Sequence, residues 1–145
     1  MVLPDQLKAL GFLVVEDNAF TTMELCRILR KLGAFNIETA SEGREALKKM
    51  DVMDPEPALL LVDLRMPGMG GTELLDRLAE RKFKGHVIIV SGVDQATLEA
   101  VEAQARAAGL NLRPGISKPF YEHDFSKALN DIVGRNVGGP AEADL

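Results

Sequence analysis

A chain of 145 residues, 46% hydrophobic and 27% charged, is long enough for one domain with a buried core. Its net charge of −5, without a basic cluster, argues against nucleic-acid binding by this domain itself. No apolar run approaches the ~18 residues of a membrane span, and Met1-Val2-Leu3-Pro4-Asp5 has neither the basic nor the apolar region of a signal peptide.

Strand and helix patterns then alternate five times, which predicts a parallel α/β sheet covered on both faces. The first strand is expected over 11–16 and the first helix over 19–32, with Leu25, Ile28, Leu29 and Leu32 on one face and Gly33 as its stop. Cys26 falls in or beside that face; as the single cysteine it excludes an internal disulfide and fits a reducing cytoplasm. Strand two covers 36–40, and Ser41 is expected to cap a helix whose Ala46, Leu47 and Met50 face inward. Pro55 and Pro57 break the chain before the third strand, Ala58 to Val62. A glycine-rich loop over 64–71 leads to a helix carrying Leu74, Leu75 and Leu78. Strand four covers 86–90. Asp94 is expected to cap the fourth helix, with Leu98, Val101, Ala105 and Ala108 inward and Gly109 as its end. Pro114 and Gly115 make the fifth strand, 111–117, poor strand material that belongs at an edge. A fifth helix presents Phe125, Ala128, Leu129 and Ile132, and residues 134–145 read as a linker or frayed tail.

The informative feature is how the strands end. The first runs into Glu16-Asp17, the third into Asp63, the fourth into Ser91 and the fifth into Lys118-Pro119. Sites in open parallel sheets form outside the carboxyl ends of the strands. The four endings can therefore share one pocket with three carboxylates, a hydroxyl and an ammonium. Two carboxylates ~4 Å apart would repel by about 4 kcal/mol at an effective dielectric near 20. Three of them take up protons or hold a cation. An all-oxygen set suits Mg²⁺, Ca²⁺ or Mn²⁺ rather than zinc. A carboxylate left free by the ion can act as nucleophile toward a phosphoryl group, with Lys118 and Ser91 stabilising the developing charge. Each feature alone has a plainer reading: Glu16-Asp17 as a helix cap, Asp63 or Ser91-Gly92 as a turn. Their joint occurrence at strand ends favours the site. The segment Gly68-Met69-Gly70-Gly71 matches neither dinucleotide nor P-loop spacing and reads as a tight turn beside Asp63. His86 and His123 lack partners at metal spacing and are assigned to structure, and Met66 and Met69 to loop packing.

With Glu16-Asp17, the stretch Asp63-Leu64-Arg65-Met66-Pro67-Gly68-Met69-Gly70-Gly71, Ser91 and Lys118-Pro119, the chain resembles a receiver domain of a two-component response regulator over about residues 9–133, preceded by a lead-in, 1–8. The resemblance implies a flavodoxin-like fold, a five-stranded parallel sheet in the order 2-1-3-4-5 with helices on both faces. It implies a cytoplasmic phosphoprotein in which Asp63 takes a phosphoryl group from a histidine kinase or histidine phosphotransfer protein. By the same resemblance Asp17 and Asp63 ligate Mg²⁺ (or Mn²⁺) directly, Glu16 acts partly through water, and the Arg65 backbone carbonyl completes the protein ligands. Ser91 and Lys118 meet the phosphoryl group, and the Lys118-Pro119 bond is often cis in such domains. A downstream effector domain or protein, and a homodimer, are compatible partners; nucleic acid and membrane are not direct ones. Turnover is limited to self-phosphotransfer and autodephosphorylation. Two alternatives are a magnesium phosphohydrolase resembling the haloacid dehalogenase group and a degenerate receiver that only binds protein. The first wants a second Asp two residues after the nucleophile, where Arg65 stands; the intact acidic pair, Asp63, Ser91 and Lys118 argue against the second.

One position departs from the family pattern. Three residues before the lysine, where receivers commonly carry Tyr or Phe, stands Gly115. It offers no side chain to fill space vacated by Ser91, so the fourth helix and the loop 91–95 are expected to carry the response.

Overall fold

The computed structural model of the protein describes residues 4–133, so the expected tail, 134–145, lies outside the described residues. The elements are α1 (Pro4–Lys8), β1 (Gly11–Val15), α2 (Ala19–Lys31), β2 (Asn36–Ala40), α3 (Gly43–Val52), β3 (Pro57–Val62), α4 (Gly71–Glu80), β4 (His86–Ser91), α5 (Gln95–Ala107), β5 (Asn111–Leu112), β6 (Ile116–Ser117) and α6 (Glu122–Val133). All strand pairs are parallel, in the order β2-β1-β3-β4-β5, with β6 also pairing with β4. This is the expected order, with the fifth strand broken in two.

The central strands read as unbroken aliphatic runs because both sheet faces are covered. Successive side chains alternate between faces. Leu13, Val15, Leu60, Val62, Val87 and Ile89 pack with Ala46 and Met50 of α3, Leu74 and Leu78 of α4, and Leu98 of α5. Phe12, Val14, Leu59, Leu61, Ile88 and Val90 pack with Leu25, Ile28 and Leu29 of α2 and Phe125, Leu129 and Ile132 of α6. Each fully buried aliphatic side chain contributes about 1.5–3 kcal/mol. Cys26 is buried on the inner side of α2, and burial pushes its thiol pKa up.

Three local expectations need correction. Ser41 does not cap α3. Its N–H and hydroxyl both donate to Glu45 Oε1, at 2.7 and 2.9 Å. Glu42 is the cap instead, accepting from the Arg44 N–H at 2.8 Å, and the helix starts at Gly43, whose N–H is bonded to the Met69 carbonyl. The inner face of α5 is Leu98, Glu102 and Ala105, with Val101 half-buried and Ala108 exposed. The run 98, 102, 105 keeps helical spacing, but a glutamate within it does not look apolar. The fifth strand is interrupted at Arg113-Pro114-Gly115, where Pro114 has no N–H to give a ladder. In addition, the lead-in forms α1, and its Leu7 is fully buried in the α2–α6 cluster.

Candidate functional site

The ladder continues beyond the strand ends and fixes all four endings. Glu16 N–H donates to the Ala40 carbonyl at 2.9 Å, Asp63 N–H to Val15 at 3.0 Å and Lys118 N–H to Ser91 at 3.0 Å. The side chains that leave these positions converge. Ser91 Oγ donates to Asp63 Oδ1 at 3.1 Å, and Lys118 Nζ reaches Asp63 Oδ2 at 3.2 Å and Glu16 Oε1 at 2.9 Å. Glu16, Asp17 and Asp63 each present a carboxylate oxygen within 4.8 Å of the others. Glu16, Asp63 and Ser91 are 3%, 6% and 2% exposed, so this is a desolvated cluster, with Asp17 at its open rim.

The plainer reading of the acidic pair as a helix cap fails on geometry. Asn18, not Glu16 or Asp17, caps α2, accepting from the Thr21 N–H at 2.9 Å. Glu16 Oε2 accepts from the Asn18 N–H instead, which turns its carboxylate back toward the cluster. The loop after β3 passes close to Asp63, as its glycines predict: a Cβ on Gly71 would lie 2.3 Å from the Asp63 carbonyl oxygen. Gly68 takes φ +69°, in the left-handed region that favours glycine. The Arg65 N–H donates to Asp63 Oδ1 at 3.2 Å. The Lys118-Pro119 bond is cis, as the resemblance implied.

Electrostatics follow from burial and neighbours. Burial raises the Glu16 pKa, against the lowering effect of its bonds from Lys118 and Asn18; the charge of Asp63 raises it further. Burial works to lower the Lys118 pKa, but its bonds to Glu16 and Asp63 and the charges of both outweigh this, and it rises. A single ammonium faces two buried carboxylates, with a third at the rim. That set is short of positive charge and rich in hard oxygen donors, which suits a divalent ion such as Mg²⁺.

Sequence reasoning missed three residues. Asn18 follows the acidic pair and was hidden by it. Glu42 accepts from the Met69 N–H at 3.1 Å, tying α3 to the loop beside Asp63 across 27 positions, a contact no local pattern reveals. Glu102 is 8% exposed, and its Oε2 accepts the Gly115 N–H at 2.7 Å. The space beside Gly115 is therefore not empty: Glu102 and Leu98 of α5 fill it.

A doubly covered parallel sheet thus gathers acidic, hydroxyl and ammonium groups at its carboxyl end. Residues 12–130 match the response regulator receiver domain, and the chain belongs to that family. It is 32% identical over 122 residues to the positive alginate biosynthesis regulatory protein of Pseudomonas aeruginosa, covering 83% of this chain and 46% of that protein. It is 27% identical over 126 residues to the cell cycle response regulator CtrA of Brucella ovis, covering 87% of this chain and 51% of the relative. The chain thus spans about half the length of these curated relatives. Among solved structures, a CheX–CheY–BeF₃–Mg²⁺ complex from Borrelia burgdorferi superposes with a TM-score of 0.74 at 25% identity, covering 85% of this chain and 88% of the other. A response regulator from Colwellia psychrerythraea gives a TM-score of 0.74 at 27% identity, covering 88% and 98%. Among the described residues no helix is long and apolar enough to cross a membrane.

Proposed function

We propose that Asp63 accepts a phosphoryl group from the histidine of a kinase or phosphotransfer protein and that the modified domain switches its binding to a downstream effector. The observation that supports this best is the two-sided hold on the Asp63 carboxylate, with Ser91 on Oδ1 and Lys118 on Oδ2. The same two donors suit the oxygens of a phosphoryl group built on Asp63. An Asp63 oxygen attacks phosphorus as the bond to the donor histidine nitrogen breaks. Glu16, Asp17 and Asp63, with the Arg65 carbonyl, would hold Mg²⁺, and the ion, when bound, would neutralise charge on the transferring group. The similar Borrelia burgdorferi protein is a complex with Mg²⁺, which supports this choice of ion. Burial of Glu16 and Asp63 excludes water from the acceptor side and strengthens each of these interactions. The chain's own chemistry is then self-phosphotransfer and autodephosphorylation in the cytoplasm, in a unit that spans about residues 9–133.

Incubation with Mg²⁺ and a small-molecule phosphodonor is expected to add one phosphoryl group by intact mass, and Asp63→Asn is expected to abolish it. The same label on Asp63→Asn would refute the assignment. Release of inorganic phosphate in many turnovers from a phosphate ester would point to the phosphohydrolase instead.

A further inference from the structure

The two groups that hold Asp63 belong to different arms of the fold. Ser91 ends β4 and leads through Gly92-Val93-Asp94 into α5. Lys118 follows β6, three residues after Gly115. The arms are paired next to the site, Val90 with Ile116 and Ser91 with Ser117. They are joined a second time, away from it, by the bond from Gly115 N–H to Glu102.

That second link is specific. Glu102 is buried, and its bond to an amide is short and charge-assisted. A Cβ on Gly115 would lie 2.7 Å from Glu102 Oε2 and 3.1 and 3.2 Å from the Leu98 methyls. Any side chain at 115 therefore competes with the carboxylate for one space. Glycine and a buried glutamate are a matched pair: the first leaves the room and supplies the donor, the second enters and accepts. Pro114, which has no N–H, cannot supply an alternative donor.

We propose that Glu102 is the positioning residue that couples α5 to residues 113–116, so that a change at the acceptor moves helix and strand edge together. This rests on the reading of Asp63 as acceptor. Ser91 and Lys118 are both drawn by a phosphoryl group on Asp63. Ser91 carries the start of α5 with it, Lys118 carries β6, and the Glu102–Gly115 bond closes the circuit between them. The response is then a joint displacement, not a movement of α5 past a passive edge.

The test is hydrogen exchange by NMR on wild type, Glu102→Ala and Glu102→Gln, with and without beryllofluoride and Mg²⁺. Without additions, Glu102→Ala should speed exchange of the Gly115 amide by about tenfold or more, and Glu102→Gln, which keeps an acceptor oxygen, should change it less. With beryllofluoride, wild type and Glu102→Gln should respond in both α5 and 113–116. Glu102→Ala should respond in 91–95 and α5 but lose the response in 113–116. Equal responses of both segments in wild type and Glu102→Ala would overturn the coupling. Failure of wild type to take beryllofluoride or a phosphoryl group would instead overturn the acceptor reading on which it rests. Gly115→Ala breaks the same bond from the other side, and it should uncouple the segments in the same way should Glu102→Ala fail to fold.

Discussion

β1, β3 and β4 hold their ends of the site with buried aliphatic ladders five or six residues long, whereas β5 and β6 contribute two residues each. The edge is tied down by side chains instead. Asn111 Nδ2 donates to the Lys84 carbonyl at 2.9 Å, Arg113 pairs with Asp131 at 3.1 Å, and Glu102 takes the Gly115 N–H. The difference bears on function. A centre built from many apolar contacts fixes where Glu16, Asp63 and Ser91 stand. An edge held by a few polar bonds can change partners, and it is the edge that carries Lys118.

The largest contrast is predicted in the core itself. Leu60→Ala, in a fully buried side chain flanked by two strands, is expected to cost about 3–5 kcal/mol. Leu112→Ala, the same chemistry in the two-residue β5, is expected to cost about 2 kcal/mol, because the edge can close on the gap. Urea unfolding of both variants measures the difference. Equal costs would mean that the edge is packed as rigidly as the centre.

How much of this was legible in the sequence divides along the same line. The aliphatic runs before Glu16, Asp63 and Ser91 declare buried parallel strands, and their endings declare the site. Gly68 to Gly71 correctly predicted a close turn, because a glycine needed for close approach leaves a local mark. The edge was legible only as weakness, through Pro114 and Gly115. What replaces the missing strand is a set of contacts between residues far apart in the chain, such as Glu102 with Gly115 and Arg113 with Asp131. No periodicity encodes them. Glu102 was hidden for a further reason. Patterning treats a glutamate as exposed, and only its amide partner explains why it is buried.

A second prediction sharpens the electrostatic side of the comparison. In Lys118→Ala the buried carboxylates of Glu16 and Asp63 lose their cation. Without Mg²⁺ the cost is expected to be about 3 kcal/mol near neutral pH, at the low end for a broken buried pair because Lys118 is 27% exposed. The pH dependence has a definite sign. The Glu16 pKa is raised in the folded protein, and losing Lys118 removes a bond that lowers it, so it should rise further. A raised carboxyl pKa favours folding below the ordinary glutamate value of about 4.3 and loses that contribution as pH rises through the folded value. The deficit of Lys118→Ala should therefore shrink on acidification and widen above that range. Mg²⁺ should also shrink it by supplying the missing charge. Thermal unfolding at several pH values, with and without Mg²⁺, measures this. A deficit independent of pH and Mg²⁺ would mean that Lys118 acts through packing alone.

The smallest effect is expected where the edge relies on an ion pair near the surface. Arg113 and Asp131 lie 3.1 Å apart, linking the β5–β6 connection to α6, with side chains 17% and 45% exposed. Asp131→Asn keeps the shape and removes the charge. Partly exposed pairs of this kind contribute about 0–1 kcal/mol. The Debye length falls from about 10 Å at 0.1 M salt to about 3 Å at 1 M, so even that loss should fade in high salt. Urea unfolding at both ionic strengths gives the answer. A loss above about 2 kcal/mol that survives 1 M salt would exceed what an exposed pair can supply. It would move the main restraint on the edge from the buried Glu102 carboxylate to Arg113, and the segment 113–116 would then be anchored to α6 rather than to the helix that follows Ser91.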